Sequence, residues 1–401
     1  MISLGEGDDS KTVYSTHSIM AEEWSKPPEN SLAGLRHAMN HMDGVEFDLR
    51  LTKDDELIIF HDNHISKSQR EDIGGRKWVE DHEAESLQAL GAPLFSELIA
   101  DNEFKTAWLE KGKIACIELK MPHPNAKHAG SVNPRKRERH ARKMAKMVDS
   151  MVGELNPPHN SVVLYSFKRR FRHTCARAGV RWPVAQLQPA IPEIGNDTVK
   201  RILTLPSFMW LSLPFHLKHQ QNVGAPMLPC ALEYLEGFTR HLTLGRTVGL
   251  KGYTARRLTR LRQGYQAYVW PAPLEVEQSL RDLGLTGLSD YTSPELYTLP
   301  TGEARWTRWA SQPLDEEQQN LFKVAEPEHH EALISEAARE VSPWRELSDL
   351  ERRSFLANWR KKWQWDREID ELVEDSGANR MPWEISRLLG HRGSGKNSDS
   401  F

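Results

Sequence analysis

Cysteine is scarce. Three occur in 401 residues, Cys116, Cys175 and Cys230, odd in number and far apart. That pattern excludes a disulfide framework and a cysteine-based metal site, and it suits a reducing compartment. Long apolar runs are also missing. The most apolar stretch, "FMWLSLPF", is far too short to cross a bilayer and reads as a buried strand. The opening "MISLGEGDDSKTVY" has no basic start followed by an apolar core, so no signal peptide is expected. A soluble, cytoplasmic protein is the expectation. Net charge is small, -3 from 53 basic and 56 acidic residues, so no polyelectrolyte logic points to nucleic acid. Nor is there a Gly-rich phosphate loop after the first predicted strand, which continues as "THSIMAEEW". A doubly wound open sheet usually carries one there.

What is present alternates. Eight β-rich runs are predicted at 12–18, 44–51, 113–120, 161–167, 183–188, 207–213, 266–270 and 286–290. Amphipathic segments lie between them, among them 30–42, 134–155, 169–179 and 274–284. Alternating strands and helices argue for parallel pairing. Eight units in roughly 280 residues suit an α/β fold of the (β/α)8 TIM-barrel type. After "PELYTLPTG" the alternation stops. The rest is helical and holds seven of the 13 tryptophans. The expected layout is therefore a barrel over 1–300, a C-terminal helical extension over 301–390 packed through tryptophan, and a flexible tail over 391–401.

The chemistry concentrates in "GVEFDLRLTKDDELIIFHD", Gly44 to Asp62. Residues two apart share one face of a strand, so Glu46 and Asp48 project together. Side-by-side carboxylates repel and desolvate badly unless a cation sits between them. "IELK" supplies Glu118 as a third carboxylate and Lys120 on the same face. Oxygen ligands of this kind suit Mg2+ or Ca2+. His17 and His61 end predicted strands beside them. Two histidines next to such a metal are a natural acid–base pair for phosphoryl chemistry. Taken singly, an E-x-D pair is also an exposed polar face and a strand-end histidine a structural one. The signal is their co-occurrence, in order.

Together His17, "PENS", "GVEFDLRLTKDDELIIFHD", "IELK", "YVW" and "LGLTGLSDYTSP" resemble the glycerophosphodiester phosphodiesterase family over residues 12 to about 295. The resemblance implies a (β/α)8 barrel and a divalent metal held by Glu46, Asp48 and Glu118. It implies His17 and His61 as acid and base, Lys120 near the phosphate, Trp270 on the pocket wall and Glu29 near the site. The implied activity is hydrolysis of glycerophosphodiesters or lysophospholipid-type phosphodiesters to glycerol 3-phosphate and an alcohol. The family usually has His-Arg-Gly at its first strand, where this chain reads His17-Ser18-Ile19. Arg50 is the candidate to replace the lost positive charge. His391-Arg392-Gly393 spells the motif near the C-terminus, but it precedes an expected loose tail and is read as coincidence. Loss of the arginine opens a second reading, a catalytically weakened barrel used as a binding module. The basic run "PRKRERHARKMAK" carries seven Lys/Arg against one Glu. It reads as a solvated helix face, or as a basic rim that attracts anionic substrate or touches a membrane surface. His123 and His128, just before it, read as surface residues.

Overall fold

The computed structural model describes residues 24–191, 199, 202–206, 211–242, 245 and 247–396. His17, Ser18 and the predicted strand 12–18 lie outside them, as do 207–210 of the predicted strand 207–213.

The central strand is β1, Gly44–Leu51. A short strand β2, Leu57–Ile59, folds back antiparallel on its end. Its other partners are parallel. β3, Ile114–Leu119, pairs with it from Gly44↔Ile114 to Leu49↔Leu119, and β4, Val162–Tyr165, follows on β3. Residues 183–188 continue the ring, since Ala185 N donates to Leu164 O and Gln188 N to Pro229 O. Pro229 belongs to β5, Met227–Ala231, which pairs with β6, Gln266–Trp270, and then with β7, Thr286–Ser289, through β6. The last position is taken by β8, Leu388–Gly390, parallel to both β7 and β1. The ring is therefore closed, and the fold is an α/β barrel of the TIM type.

Alternation sorts the side chains. Val45, Phe47 and Leu49 face outward and pack with Leu35, Met39, Phe104 and Trp108 of the surrounding helices. Inward residues such as Cys116, Tyr165, Leu187, Tyr268 and Leu389 form the plug of the barrel. The helices start where their caps say. Ser31 accepts from Gly34 N ahead of Leu32–His41. Asn133 caps Pro134–Leu155, with proline in the first turn, and left-handed Asn156 ends it.

Two sequence expectations give way. Leu213 does not belong to a strand; it opens the helix Leu213–Asn222, with Pro214 in its first turn. The sixth strand of the ring is instead β5, "MLPCA", which holds Pro229. The second correction concerns the end of the chain. The helices Glu316–Val324, His330–Glu340, Asp349–Trp363 and Ile369–Glu374 lie between β7 and β8. A barrel strand thus follows them, so neither the barrel limit at 300 nor the loose tail from 391 holds. Residues 391–395 are buried.

The helical region covers the end of the barrel where the strands begin. Asp43, one residue before β1, accepts from Ala310 N, Ser311 N and Leu388 N. Trp344, Trp359, Trp363 and Trp365 form one apolar cluster with Leu356 and Ile385. Trp363 donates to Asp282 O at 3.1 Å and lies against Gly284, whose φ of +67° and missing Cβ admit the indole. Trp363→Ala should cost about 3–5 kcal/mol. Denaturant unfolding checks this, and an unchanged midpoint would show that the cap is not part of the folding unit.

Candidate active site

The β1–β3 register sets Asp48 beside Glu118, with Glu46 one step below on the same inward face. One oxygen from each of the three lies within 4.8 Å of the others, and all three residues are buried. Lys120 Nζ is 3.1 Å from Asp48 Oδ1 and 2.8 Å from Glu118 Oε1. Burial would lower the pKa of this lysine, but Asp48 and Glu118 outweigh it and raise it. Asp48 also stays ionised. Burial opposes this, but Lys120, Arg392 and the Asn30 amide, 3.1 Å away, pull its pKa down. For Glu46 the compensation from Lys120 and the Arg392 N–H falls short. Burial first, then Asp48 and Glu118, push its pKa well above the carboxylate range.

A divalent cation fits this donor set. All three ligands are oxygens, and oxygens around one Mg2+ or Ca2+ at about 2.0–2.6 Å lie within about 5 Å of one another. The excess negative charge that makes Glu46 bind a proton would hold the cation instead.

β8 brings two further groups. The segment set aside in the sequence as coincidence, His391-Arg392-Gly393, turns over the triad. Arg392 N donates to Glu46 Oε2 at 3.0 Å, Gly393 N to Glu46 O at 3.2 Å, and Arg392 O accepts from Asn30 N. Arg392 has φ +52° and Gly393 +83°; a Cβ on Gly393 would sit 2.7 Å from the Gly34 carbonyl carbon, so glycine is required there. The Arg392 guanidinium reaches Glu29 at 3.1 Å and Asp48 at 3.8 Å. His391 Nδ1 is 2.8 Å from Asp290 Oδ1, and Nε2 is 3.8 Å from Glu46. Asp290 follows β7, in the "GLSDYTSP" stretch.

His61 follows β2. Its Nδ1 lies 2.8 Å from Asp62 and its Nε2 2.8 Å from Arg392 Nη2. A guanidinium only donates, so Nε2 accepts and the ring is neutral. Burial, then Lys120, Arg392 and Arg50, hold its pKa well below the usual histidine value. Arg50 does not replace the motif arginine. It turns to the buried Glu80 at 2.7 Å and donates twice to the His61 carbonyl, which fixes the histidine's backbone. Trp270 ends β6 and meets Phe167 edge to face at 5.5 Å, while Lys120 Nζ lies 5.6 Å from the Phe167 ring. These form the wall of the mouth. His123 stacks on Trp78 at 3.7 Å, outside the carboxylate cluster.

Closed barrel, acidic pocket and strand-end groups define the class: a TIM barrel with a carboxylate triad and basic groups gathered at its mouth. The chain belongs to the glycerophosphoryl diester phosphodiesterase family, whose model matches residues 23–269. Residues 388–396 fall outside the match. A glycerophosphodiester phosphodiesterase of Caldanaerobacter subterraneus subsp. tengcongensis is 32% identical over 83 residues, 20% of this chain and 32% of that protein. One of Bacillus subtilis is 30% identical over 96 residues, 24% of this chain and 29% of that protein. The chain thus matches about a third of the length of these curated relatives. Among solved structures, a glycerophosphodiester phosphodiesterase of Thermotoga maritima is similar over 65% of this chain and 87% of that one, with 16% identity and a TM-score of 0.38. An Oleispira antarctica phosphodiesterase in complex with the product sn-glycerol-3-phosphate is similar over 67% and 90%, with 16% identity and a TM-score of 0.41. Among the described residues no helix is long and apolar enough to cross a membrane.

Proposed function

We propose that this chain is a metal-dependent glycerophosphodiester phosphodiesterase, releasing glycerol 3-phosphate and an alcohol. The observation that carries the reading is the seating of His391 and Arg392 on the Glu46–Asp48–Glu118 cluster opposite His61. The weakened-barrel reading rested on a missing arginine, and the approach of Arg392 to Asp48 supports the enzyme reading instead.

Glu46, Asp48 and Glu118 would hold Mg2+ or Ca2+, which when bound supplies positive charge to the phosphate oxygens. Lys120 and Arg392 add fixed charge where negative charge gathers on pentacoordinate phosphorus. With Arg392 turned from His61 Nε2 to the phosphate, neutral His61 takes the proton of the glycerol hydroxyl at that nitrogen as the hydroxyl oxygen attacks phosphorus. His391 gives a proton to the leaving alcohol; burial lowers its pKa and makes it a readier acid, while Asp290 at Nδ1 offsets this in part and sets the ring's orientation. The cyclic phosphodiester is then opened by water with the two proton transfers reversed. Trp270 and Phe167 shield the glycerol side, Glu29 orients Arg392, and Arg50 acts on the site through His61. Lysophospholipid-type phosphodiesters share the reacting group and belong to the same substrate class. The three free, buried cysteines support a reducing, cytoplasmic setting.

Metal binding can be read without turnover. Mg2+ or Ca2+ should raise the melting temperature of the protein. Glu46→Gln takes away a carboxyl whose ionisation burial opposes, while keeping an acceptor for Arg392 N. It should raise the metal-free melting temperature by about 1 °C for each kcal/mol gained in a chain of this length, and remove the cation-induced rise. A Glu46→Gln variant that still responds fully to the cation would place the metal elsewhere.

A further inference from the structure

A groove of about 1700 Å³ opens from the barrel mouth. It begins at Met121, Phe167 and Gln188 and runs between the helices 134–155, 171–178 and 213–222. A glycerophosphodiester needs far less room, since pockets for small ligands span about 300–1,000 Å³. The lining carries nine arginines and lysines against one acid, Glu138. Glu138 is already paired with Lys168 at 2.8 Å. Arg142 Nε and Arg172 Nη1 are buried atoms with no hydrogen-bond partner. A buried guanidinium N–H without an acceptor is costly, and an anionic oxygen is the partner that answers it. The same lining exposes large apolar side chains: Val132 is 81% exposed, Phe215 52% and Leu203 51%. Cations with exposed apolar groups beside them, next to the catalytic mouth, match the anionic head groups and acyl boundary of a membrane.

We propose that this groove seats the protein on an anionic phospholipid surface with the barrel mouth turned to the lipid. Arginines of the helices 134–155 and 171–178 receive lipid phosphates, and Val132, Leu203 and Phe215 enter the interface. That the substrate comes from this surface rests on the phosphodiesterase reading; the docking does not.

The test is vesicle sedimentation of the full chain at low salt, with phosphatidylcholine vesicles against phosphatidylcholine–phosphatidylserine vesicles. Partition onto the anionic vesicles should exceed that onto the neutral ones by about tenfold or more and fall with added salt. Arg139 and Arg177 are both exposed. The double variant Arg139→Glu/Arg177→Glu should lose about tenfold or more of that binding, and Phe215→Asp should weaken it further. Both variants should hydrolyse dissolved glycerophosphocholine at the wild-type rate, which also shows that they fold. Equal partition onto both vesicles, or binding indifferent to the charge reversal, overturns the proposal. So does loss of vesicle binding when a soluble polyanion such as RNA binds with the same Arg139/Arg177 dependence and higher affinity. Vesicle binding without any glycerophosphocholine turnover would sink the phosphodiesterase reading and leave the docking standing. Turnover without vesicle binding does the reverse.

Discussion

His391→Ala should lower turnover of a glycerophosphodiester by about 10²–10⁴-fold, the usual worth of a positioned acid or base. The expectation follows from where β8 ends. Its side chain leaves the strand pointing inward, Nδ1 is held by Asp290, and Nε2 faces Glu46. Nothing in that arrangement carries the fold, because the backbone bonds of 390–393 remain in the variant. His61→Ala should cause a loss of similar size. His17→Ala should leave turnover near wild type, although His17 is the residue that chain order offers for the first strand. Michaelis–Menten kinetics of the three variants decide between them. Full activity in His391→Ala with an inactive His17→Ala would return the role to the N-terminal segment and reject the placement of the C-terminal motif.

Withdrawal of the divalent cation should have an effect of similar size. Charge stabilisation by a bound metal is worth several kcal/mol, or about a thousandfold at one power of ten per 1.36 kcal/mol. Chelation should therefore reduce turnover by about that factor, and added Mg2+ or Ca2+ should restore it. Glu118→Gln and Asp48→Asn should reproduce the loss without restoration. Each leaves Lys120 one carboxylate partner, so both should still fold. Undiminished turnover after chelation would mean that Lys120 and Arg392 alone carry the phosphate charge.

The triad was legible because it is local. Glu46 and Asp48 obey the period of a strand, and Glu118 with Lys120 repeats the pattern on the next parallel strand, so register alone joins them. In the structure the same rule turns Val45, Phe47 and Leu49 outward, away from the plug. The other half of the site was hidden by distance and length. His391 lies 345 residues from Glu46 and follows a strand of three residues, too short to show alternation. Its motif was in plain view, but the helices before it and the Gly/Ser-rich residues after it masked the strand. The useful signal was "RLLGHRG": an apolar run ending at a family motif that the chain otherwise lacked. Arg50 misled for a related reason. Its inward direction is set by the strand, but its partner Glu80 comes from a loop that sequence periodicity does not reach. The tryptophans announced a packed helical region, but not that it covers the strand-start end of the barrel, away from the chemistry. That placement depends on Asp43, Gly284 and Asp282, which become receptors for it only once the ring has formed.

The most direct test is release of sn-glycerol 3-phosphate from glycerophosphocholine by the purified chain, measured with Mg2+ or Ca2+ and again after chelation. Metal-dependent appearance of glycerol 3-phosphate in wild type, absent from Arg392→Ala, is the predicted result. No glycerol 3-phosphate with either metal, under conditions where the protein is folded, would contradict the account.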